Sequence, residues 1–132
     1  MKHLLNTLFV TSEDIYLSLD GENVVANREG IPEVALLRAL EPLEGLELMA
    51  RRRRTDRKEA LCSGPGKLCM AMGITRSQYG LDLCGEKLWI EDDGARPEIA
   101  VGKRIGIDYA GEARDYPWRF AVKGSGYLSA KI

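Results

Sequence analysis

The stretch VALLRALEPLEGLELMARRRR, residues 34–54, contains the pattern that decides the fold. Residues 34–40 are apolar apart from one arginine, which predicts a buried strand that ends before Pro42. Apolar residues at helical spacing follow and predict a helix. Pro42 starts its first turn, and the acids Glu41 and Glu44 complement the positive end of the helix dipole. The basic run 51–54 lies at the opposite end, where cations are favourable. The stretch therefore predicts a strand followed by a helix.

Arg38 interrupts the apolar run, and an arginine in a buried strand is unusual enough to need a reason. Its guanidinium must be paired, lie at a sheet edge or face a cleft. The sequence leaves these three explanations open. Arg38 is therefore a candidate functional side chain.

Short strands are predicted on both sides of this unit. Near-alternating apolar residues predict strands at 4–10 and 15–19, and the turn at 20–23 leads into a strand at 24–26, which makes an N-terminal β-hairpin. A second short helix opens at 63–67 and ends at Gly73, and further strands are predicted at 87–91, 103–107 and 118–123. A seam at Gly30 and Pro32 divides the chain into units 1–32 and 33–132. The sum is an α+β fold with an antiparallel, curved sheet and a few short helices.

The composition fits one soluble globular domain. The chain has 132 residues, 45% of them hydrophobic, and a formal net charge of −1, so it can bury a modest core without disulfide or metal. No apolar run approaches the roughly 18 residues that a transmembrane helix needs. Asn6 and Thr7 split the N-terminal apolar segment and no small-residue cleavage site follows it, so we expect no signal peptide and a cytoplasmic protein.

The single histidine, His3, excludes several kinds of site. Zincin helices and Cys2His2 fingers need more than one histidine. Cys62, Cys69 and Cys84 lack CxxC spacing, and a Cys3His zinc site completed by His3 is the alternative to three buried, reduced thiols. The sequence favours the thiols, and we expect no metal.

The sequence Ser63-Gly64-Pro65-Gly66-Lys67 suggests a phosphate seat. A Walker loop is excluded, because Leu61 and Leu68 replace the glycine and the hydroxyl residue that it requires. The free N–H groups of a helix start beside Lys67 can still bind phosphate, although the same residues suit an ordinary Gly-Pro helix start.

Three further stretches leave alternatives open. Residues 51–58 contain six cations and one acid, which fits a local track along a nucleic-acid backbone or a solvated helix end. Glu91, Asp92 and Asp93 fit a hard-cation site or a surface turn. The aromatic and charged residues of 109–118 fit a binding lip or an ordinary connection between strands.

Four blocks from about residue 34 to the end resemble the C-terminal half of the alkyladenine (3-methyladenine) DNA glycosylase family. They are LLRALEPLEGLELM at 36–49, LCSGPGKLC at 61–69, RIGIDYAGE at 104–112 and PWRF at 117–120, in the family's order. The resemblance implies an enzyme that flips a damaged purine out of double-stranded DNA. It further implies hydrolysis of the N-glycosidic bond by a carboxylate-activated water, without metal or cofactor.

The resemblance also implies roles for individual residues. Arg38 and the backbone carbonyl of Ile105 would hold the attacking water. Lys67 and its helix start at Gly66 would lie against DNA phosphate. Apart from the resemblance, we expect Arg119, Arg51 and Arg52 to add weak contacts to duplex DNA.

Residues 1–30 resemble instead the N-terminal strands of the CRISPR-associated integrase, through LLNTLFVT at 4–11 and YLSLDGENVV at 16–25. The metal-binding residues of that family lie in a later domain without a counterpart here, so integrase chemistry is not implied. The two resemblances together predict a truncated, chimeric glycosylase-like protein.

The general-base glutamate and the base-pocket walls of the glycosylase family precede its counterpart of the Arg38 block, and the predicted chimera lacks them. Asp14, with Glu13 beside it, is the remaining candidate base, because Glu13-Asp14-Ile15-Tyr16 echoes the family's Glu-Ala-Tyr. Loss of a positioned base lowers a rate by about a hundredfold or more. Little or no glycosylase activity is therefore expected.

Two non-enzymatic alternatives stay open. The N-terminal hairpin could pair its edge with a CRISPR adaptation or effector protein and interfere with it, or the chain could be a stable domain without selected activity. Open sheet edges also suggest a homodimer.

Overall fold

The computed structural model describes residues 18–20, 23–26 and 33–132, and it combines short antiparallel strands with short helices. This confirms the predicted α+β class. The strands are Ser18–Asp20 (β1), Asn23–Ala26 (β2), Glu33–Leu36 (β3), Ile99–Gly102 (β4) and Arg119–Val122 (β5). The α-helices are Leu46–Arg53 (α1), Lys58–Leu61 (α2) and Pro65–Met72 (α3), and Arg76–Gln78 and Asp108–Asp115 form 3-10 segments.

Strands β1, β2 and β3 form an antiparallel sheet with β2 in the middle. Leu19 pairs with Val24 across the hairpin, and Val24 pairs with Ala35 of β3. The predicted return strand is confirmed as β2, whereas the centre of the predicted turn at 20–23 and the strand predicted at 4–10 lie outside the described residues. Because β2 and β3 come from opposite sides of the predicted seam, this sheet crosses it, and the division into 1–32 and 33–132 stays a prediction.

The strand predicted at 34–40 is shorter in the structure, because β3 ends at Leu36. The amide of Leu40 donates to the carbonyl oxygen of Cys62 at 3.3 Å, so the chain has left the sheet and packs against the helices. Leu40 and Pro42 are buried there. Arg38 lies half-buried in this crossing segment.

Helix α1 begins later than the proline predicts. Gly45 precedes the helix with φ 71° and ψ 23°, a left-handed conformation that glycine adopts without strain. Pro42 therefore lies in the buried connection, and its predicted place in the first helical turn is wrong. Glu47 is the acid of that turn, and the predicted basic end is confirmed, since three arginines occupy the last turn.

Helix α3 has the predicted start and end. Pro65 lies in its first turn, and the amide of Leu68 donates to the carbonyl of Gly64 at 2.8 Å. Gly73 caps the other end at φ 73° and donates to the carbonyl of Met70, a position where a side chain would strain the backbone. The sequence did not reveal α2, because one helical turn is too short to show a period.

The helices enclose the larger core cluster of the described residues. Its buried members are Leu40, Met49, Leu61, Cys62, Leu68 and Ala71. Val24 of β2 packs against Leu83 in a second cluster. The partly buried Leu37 and Ile74 contact both clusters and so join the first sheet to the helices.

Strands β4 and β5 pair antiparallel, with Gly102 opposite Arg119. The predicted strand 118–123 is confirmed as β5. The prediction at 103–107 is wrong, because β4 ends just before it and Gly106 adopts φ 74°, which a regular strand does not tolerate. The prediction at 87–91 is also wrong, since within it Trp89 alone forms a bridge, to Cys84.

Helices α1 and α3 have eight residues each. In the part of the chain that the structure describes, no helix has the length and apolar character required to cross a membrane.

Truncation of Leu68 should destabilise the fold, because its side chain is 1% exposed inside the helical cluster. We expect Leu68→Ala to lower the free energy of unfolding by about 2–5 kcal/mol. Leu43→Ala is the matched control. Because Leu43 is 43% exposed, this variant should lose clearly less free energy of unfolding. Urea unfolding followed by circular dichroism measures both variants, and equal losses would contradict this description of the core.

Candidate functional site

Arg38 contacts the C-terminal end of the chain. Its Nε donates to Oγ of Ser129 at 3.3 Å, across 91 positions of sequence. No carboxylate of the described residues lies within ion-pair distance of Arg38. The arginine therefore has a neutral hydroxyl as its partner and keeps an uncompensated positive charge within this part of the chain.

Arg119, the first residue of β5, reaches the same segment. Its Nη1 donates to the carbonyl of Lys131 at 3.2 Å, and its Nη2 donates to the carbonyl of Ala130. Burial, and then the positive charge of Arg38, lower the pKa of the Arg119 guanidinium. We call Arg38 and Arg119 the arginine pair.

The arginine pair favours an anion. The two guanidiniums repel each other, and the acceptors that they use are neutral hydroxyl and carbonyl groups. Guanidinium groups bind phosphate or carboxylate oxygens through several charge-assisted hydrogen bonds. An anion between them would relieve the repulsion and use the donors that remain.

Ile105 lies at the same end of the second sheet. It follows Gly102, the pairing partner of Arg119, by three residues, and three extended residues span at most about 11 Å. No backbone hydrogen bond found among the described residues uses the Ile105 carbonyl. The carbonyl is therefore available as an acceptor near Arg119, and its predicted contact with the attacking water stays a prediction.

Gly66 and Lys67 are exposed in the first turn of α3. No side chain caps this helix start, so the amides of its first turn have no side-chain acceptor. The Lys67 stem folds back towards Gly64, where an added Cβ would lie 3.5 Å from Cδ of Lys67. The result is an open helix end with a cation beside it, the arrangement that binds phosphate.

The adjacent arginines Arg51 and Arg52 have different surroundings. Arg51 is exposed in the last turn of α1 and forms no ion pair within the described part of the chain. Arg52 donates from Nη1 to the carbonyl of Ala71 at 3.0 Å, near the end of α3. The structure therefore gives Arg52 an intramolecular role and leaves Arg51 open to solvent.

Arg53 connects the three helices, a role that the sequence did not reveal. Its Nε donates to the carbonyl of Leu61 at 3.0 Å and its Nη2 to that of Ala60 at 3.4 Å, both at the end of α2. Its Nη1 lies 3.7 Å from Sδ of Met70 in α3. Helical spacing could have identified Arg53, because it lies four residues after the buried Met49 and therefore on the same face.

The carbonyls that Arg53 binds lie beside the link to Arg38. Cys62, the next residue, accepts from the amide of Leu40, two positions after Arg38. Residues 60–62 are thus held from α1 on one side and from the crossing segment on the other. The start of α3, with Lys67, follows within a few residues. The hydrogen bonds to residues 60–62 therefore fix the position of the phosphate seat relative to the segment that contains Arg38.

The three cysteines are reduced thiols whose surroundings differ. Cys62 is buried, Cys69 is half-buried and Cys84 is exposed, so the prediction of buried thiols is confirmed for Cys62 and wrong for Cys84. Burial raises the pKa of the Cys62 thiol, and the charge of Arg53 opposes the shift. No group of three potential metal ligands lies together in the part of the chain described, and His3 lies outside it.

The acidic residues 91–93 form a surface turn. The Asp92 carboxylate accepts from Nη1 and Nη2 of Arg96, at 3.1 Å each, and from the amide of Gly94 at 2.8 Å. These hydrogen bonds, with the Arg96 bond the largest cause, lower the pKa of Asp92. Of the two alternatives for this stretch, the structure favours the turn.

The candidate base residues Asp14 and Glu13 lie outside the described residues. Their predicted roles stay predictions. In the described part of the chain, Arg38 and Arg119 both contact the segment 129–131. Lys67, at the start of α3, is a separate exposed cation.

Comparison with known proteins identifies the family. A sequence model of the family described as "Methylpurine-DNA glycosylase (MPG)" matches residues 8–126, most of the chain. The chain belongs to the methylpurine-DNA glycosylase family. This confirms the glycosylase resemblance predicted from the four blocks.

Relatives in several bacteria carry the name "Putative 3-methyladenine DNA glycosylase". The relative from Alkaliphilus oremlandii is 47% identical over 118 residues, which cover 83% of this chain and 58% of the relative. The Clostridium novyi relative is 44% identical over 117 residues, with the same coverage. The Bacillus subtilis relative is 48% identical over 107 residues, 81% of this chain and 55% of the relative. The chain thus spans little more than half the length of these glycosylases.

The comparisons give no support to the integrase resemblance of residues 1–30. The methylpurine-DNA glycosylase model begins at residue 8, so it includes most of that segment. The similarity to integrase strands is explained by short apolar alternation and a turn, which many hairpins share.

Replacement of Arg53 should loosen the helices more than replacement of its neighbour. Arg53→Met leaves the carbonyls of Ala60 and Leu61 without this donor, and we expect the free energy of unfolding to fall by about 1–3 kcal/mol. Arg51→Met is the matched control, because it removes the same charge from the same helical turn without a described hydrogen bond. Thermal and urea unfolding compare the two, and equal stability of both variants would contradict the bridging role of Arg53.

Proposed function

We propose that this chain carries the water-orienting and DNA-binding part of a site for hydrolysis of the N-glycosidic bond of damaged purines, such as 3-methyladenine, in double-stranded DNA. The observation that carries the proposal is the arginine pair, which has no carboxylate partner in the described residues and lies in a chain of the methylpurine-DNA glycosylase family. Two uncompensated guanidiniums suit the phosphates around a flipped nucleotide.

In this proposal, Arg38 and the Ile105 carbonyl orient the attacking water. A carbonyl accepts one hydrogen bond from the water and a guanidinium donates another, so the pair fixes the direction of its lone pair. The Ser129 hydrogen bond restricts the rotamer of Arg38. Arg38 therefore enters the reaction already positioned, which lowers the entropic cost of the step.

DNA contacts in the proposal come from the helix start and from basic residues. The first-turn amides of α3 at Gly66 and the Lys67 ammonium would bind one phosphate, and Arg119 another. Arg51 would add a contact from the end of α1. Arg52 would contribute mainly through its bond to Ala71, which orients the helix pair.

We further propose that the 132-residue polypeptide by itself has little or no glycosylase activity. This part of the proposal is supported by the lack of a carboxylate near Arg38 among the described residues. Without a positioned proton acceptor, the water loses assistance worth roughly 10²–10⁴ in rate. Asp14 is the acid whose position would reverse this conclusion.

An incision assay tests the activity. The purified polypeptide is incubated with duplexes that contain hypoxanthine or ethenoadenine, followed by alkali, and an active methylpurine-DNA glycosylase verifies the substrate. We expect no strand breaks above background. Abundant breaks would overturn the proposed loss of activity, and Asp14→Asn and Glu13→Gln, compared in the same assay, would then show which acid is the base.

A binding assay tests the DNA contact. We expect Lys67→Gln to weaken duplex binding several-fold and to reduce the slope of log affinity against log salt by about 1, as the loss of one phosphate contact requires. Lys87→Gln is the matched control, because Lys87 is also exposed and forms no described ion pair. If the wild-type polypeptide binds no duplex at low salt, the proposed function fails.

The alternative of a CRISPR-interacting hairpin is not favoured. It depended on the integrase resemblance of residues 1–32, and the glycosylase model includes most of them. The predicted homodimer likewise has no support from the described residues, and it stays a prediction.

A further inference from the structure

The connection between β4 and β5 presents unusually exposed aromatic rings. Its 16 residues leave Gly102 and return to the paired residue Arg119, so the two ends of the loop are held together. Tyr109 is 87% exposed and Trp118 is 57% exposed, with Tyr116 at 36%. Exposed apolar patches often mark binding sites, and compact loops with joined ends are often functional.

Two of these rings, Tyr116 and Trp118, are held by contacts within the loop before any ligand arrives. Tyr116 and Trp118 lie edge to face, with centroids 4.9 Å apart and planes at 61°. The amide of Trp118 donates to the carbonyl of Tyr116 at 2.8 Å, and Cζ of Arg104 lies 5.4 Å from the centre of the Trp118 ring. Because these contacts limit the rotamers of Tyr116 and Trp118, the side chains lose little conformational entropy when a ligand stacks on them. We call Tyr109, Tyr116, Trp118 and Arg104 the aromatic lip.

The charge around the aromatic lip favours an anionic ligand. The Asp115 carboxylate accepts from Nζ of Lys103 at 2.8 Å and from Nε of Arg114 at 3.5 Å, and these contacts, the Lys103 bond first, lower its pKa. The loop 103–118 contains three cations and three acids, so its net charge is zero. The cation at the Trp118 ring is Arg104, which forms no ion pair among the described residues, and this local positive charge favours an anion.

We propose that the aromatic lip binds unpaired bases of single-stranded DNA by stacking, a contact separate from the base pocket and from the Lys67 phosphate seat. Base stacking on aromatic side chains tolerates any sequence, and nearby cations bind the backbone of the same strand. A protein partner would require an apolar face that excludes water, whereas this lip combines rings with a guanidinium and paired charges. The proposal rests on the proposed function only in taking DNA as the nucleic acid.

Position along the chain supports the same occupant. Arg104 directly precedes Ile105, the predicted water-holding residue, and the lip begins at the end of sheet that carries Arg119. Extrusion of nucleotides leaves their partner bases in the opposite strand unpaired. A stacking surface here would bind such bases next to the arginine pair.

Tryptophan fluorescence tests the proposal directly, because the chain has two tryptophans, Trp89 and Trp118. In the Trp89→Phe variant, Trp118 is the sole reporter, and a 20-nucleotide oligothymidine titrated at low salt should quench its emission. In the Trp118→Phe variant, the remaining Trp89 should not respond. Absence of quenching in the first variant, or equal quenching in both, would overturn the proposal.

Affinity measurements separate stacking from general charge attraction. Trp118→Ala should weaken oligothymidine binding by about 5-fold to 100-fold, the range of one lost stacked base, whereas Trp118→Phe should keep most of it. Tyr109→Ser provides a second variant that the fold should tolerate, since the ring is 87% exposed, and it should also weaken binding. Unchanged affinity in both Trp118→Ala and Tyr109→Ser would overturn the proposal.

The two proposals fail in distinguishable ways. If duplex binding depends on Lys67 but Trp118 is not quenched, the aromatic lip is not a DNA site and the proposed function stands. If Trp118 is quenched and duplex binding is independent of Lys67, the lip is supported and the predicted phosphate seat fails. Circular dichroism of each variant confirms that the fold is intact.

Discussion

The guanidinium of Arg53 is the interaction on which the described helical region depends. It extends from α1 to two carbonyls at the end of α2 and to the sulfur of Met70 in α3, so one side chain contacts all three helices. The neighbouring carbonyl of Cys62 binds the amide of Leu40, which ties the same point to the segment of Arg38. Because α2 is a single turn, tertiary contacts rather than its own hydrogen bonds must hold it. The core cluster of Met49, Leu61 and Leu68 then packs in one arrangement.

Local positive charge, rather than net charge, would provide the affinity for DNA that we propose for this chain. The chain as a whole carries a net charge of −1, yet the arginine pair has no carboxylate partner among the described residues. Its guanidiniums are held by Ser129 and by the carbonyls of Ala130 and Lys131, neutral acceptors that fix their positions without cancelling their charge. A site of this kind is preorganised for phosphate, which agrees with membership of the methylpurine-DNA glycosylase family.

Periodic features of the sequence predicted the fold class and several elements well. The Gly-Pro start and glycine end of α3 lie where the pattern puts them, and so do β2 and β5. The start of α1 was misplaced, because the pattern favoured Pro42 while the left-handed Gly45 begins the helix. The strand at 103–107 was misplaced by its apolar residues, since nothing local shows that Gly106 adopts a positive φ. The resemblance to the glycosylase family came from four ordered motifs and was right. The integrase resemblance relied on a short alternation of apolar and polar residues, which carries little information.

By itself, the sequence determined the α+β class, the helix with a basic end, the capped α3 and the exposed cation Lys67, because each depends on residues close together along the chain. Only the tertiary structure decided which groups the half-buried arginines bind. The partner of Arg38 is 91 residues away, and helical spacing places Arg53 on the face of Met49 without showing that it binds the carbonyls of Ala60 and Leu61. Such contacts depend on how distant segments pack, and a local pattern contains no record of that packing.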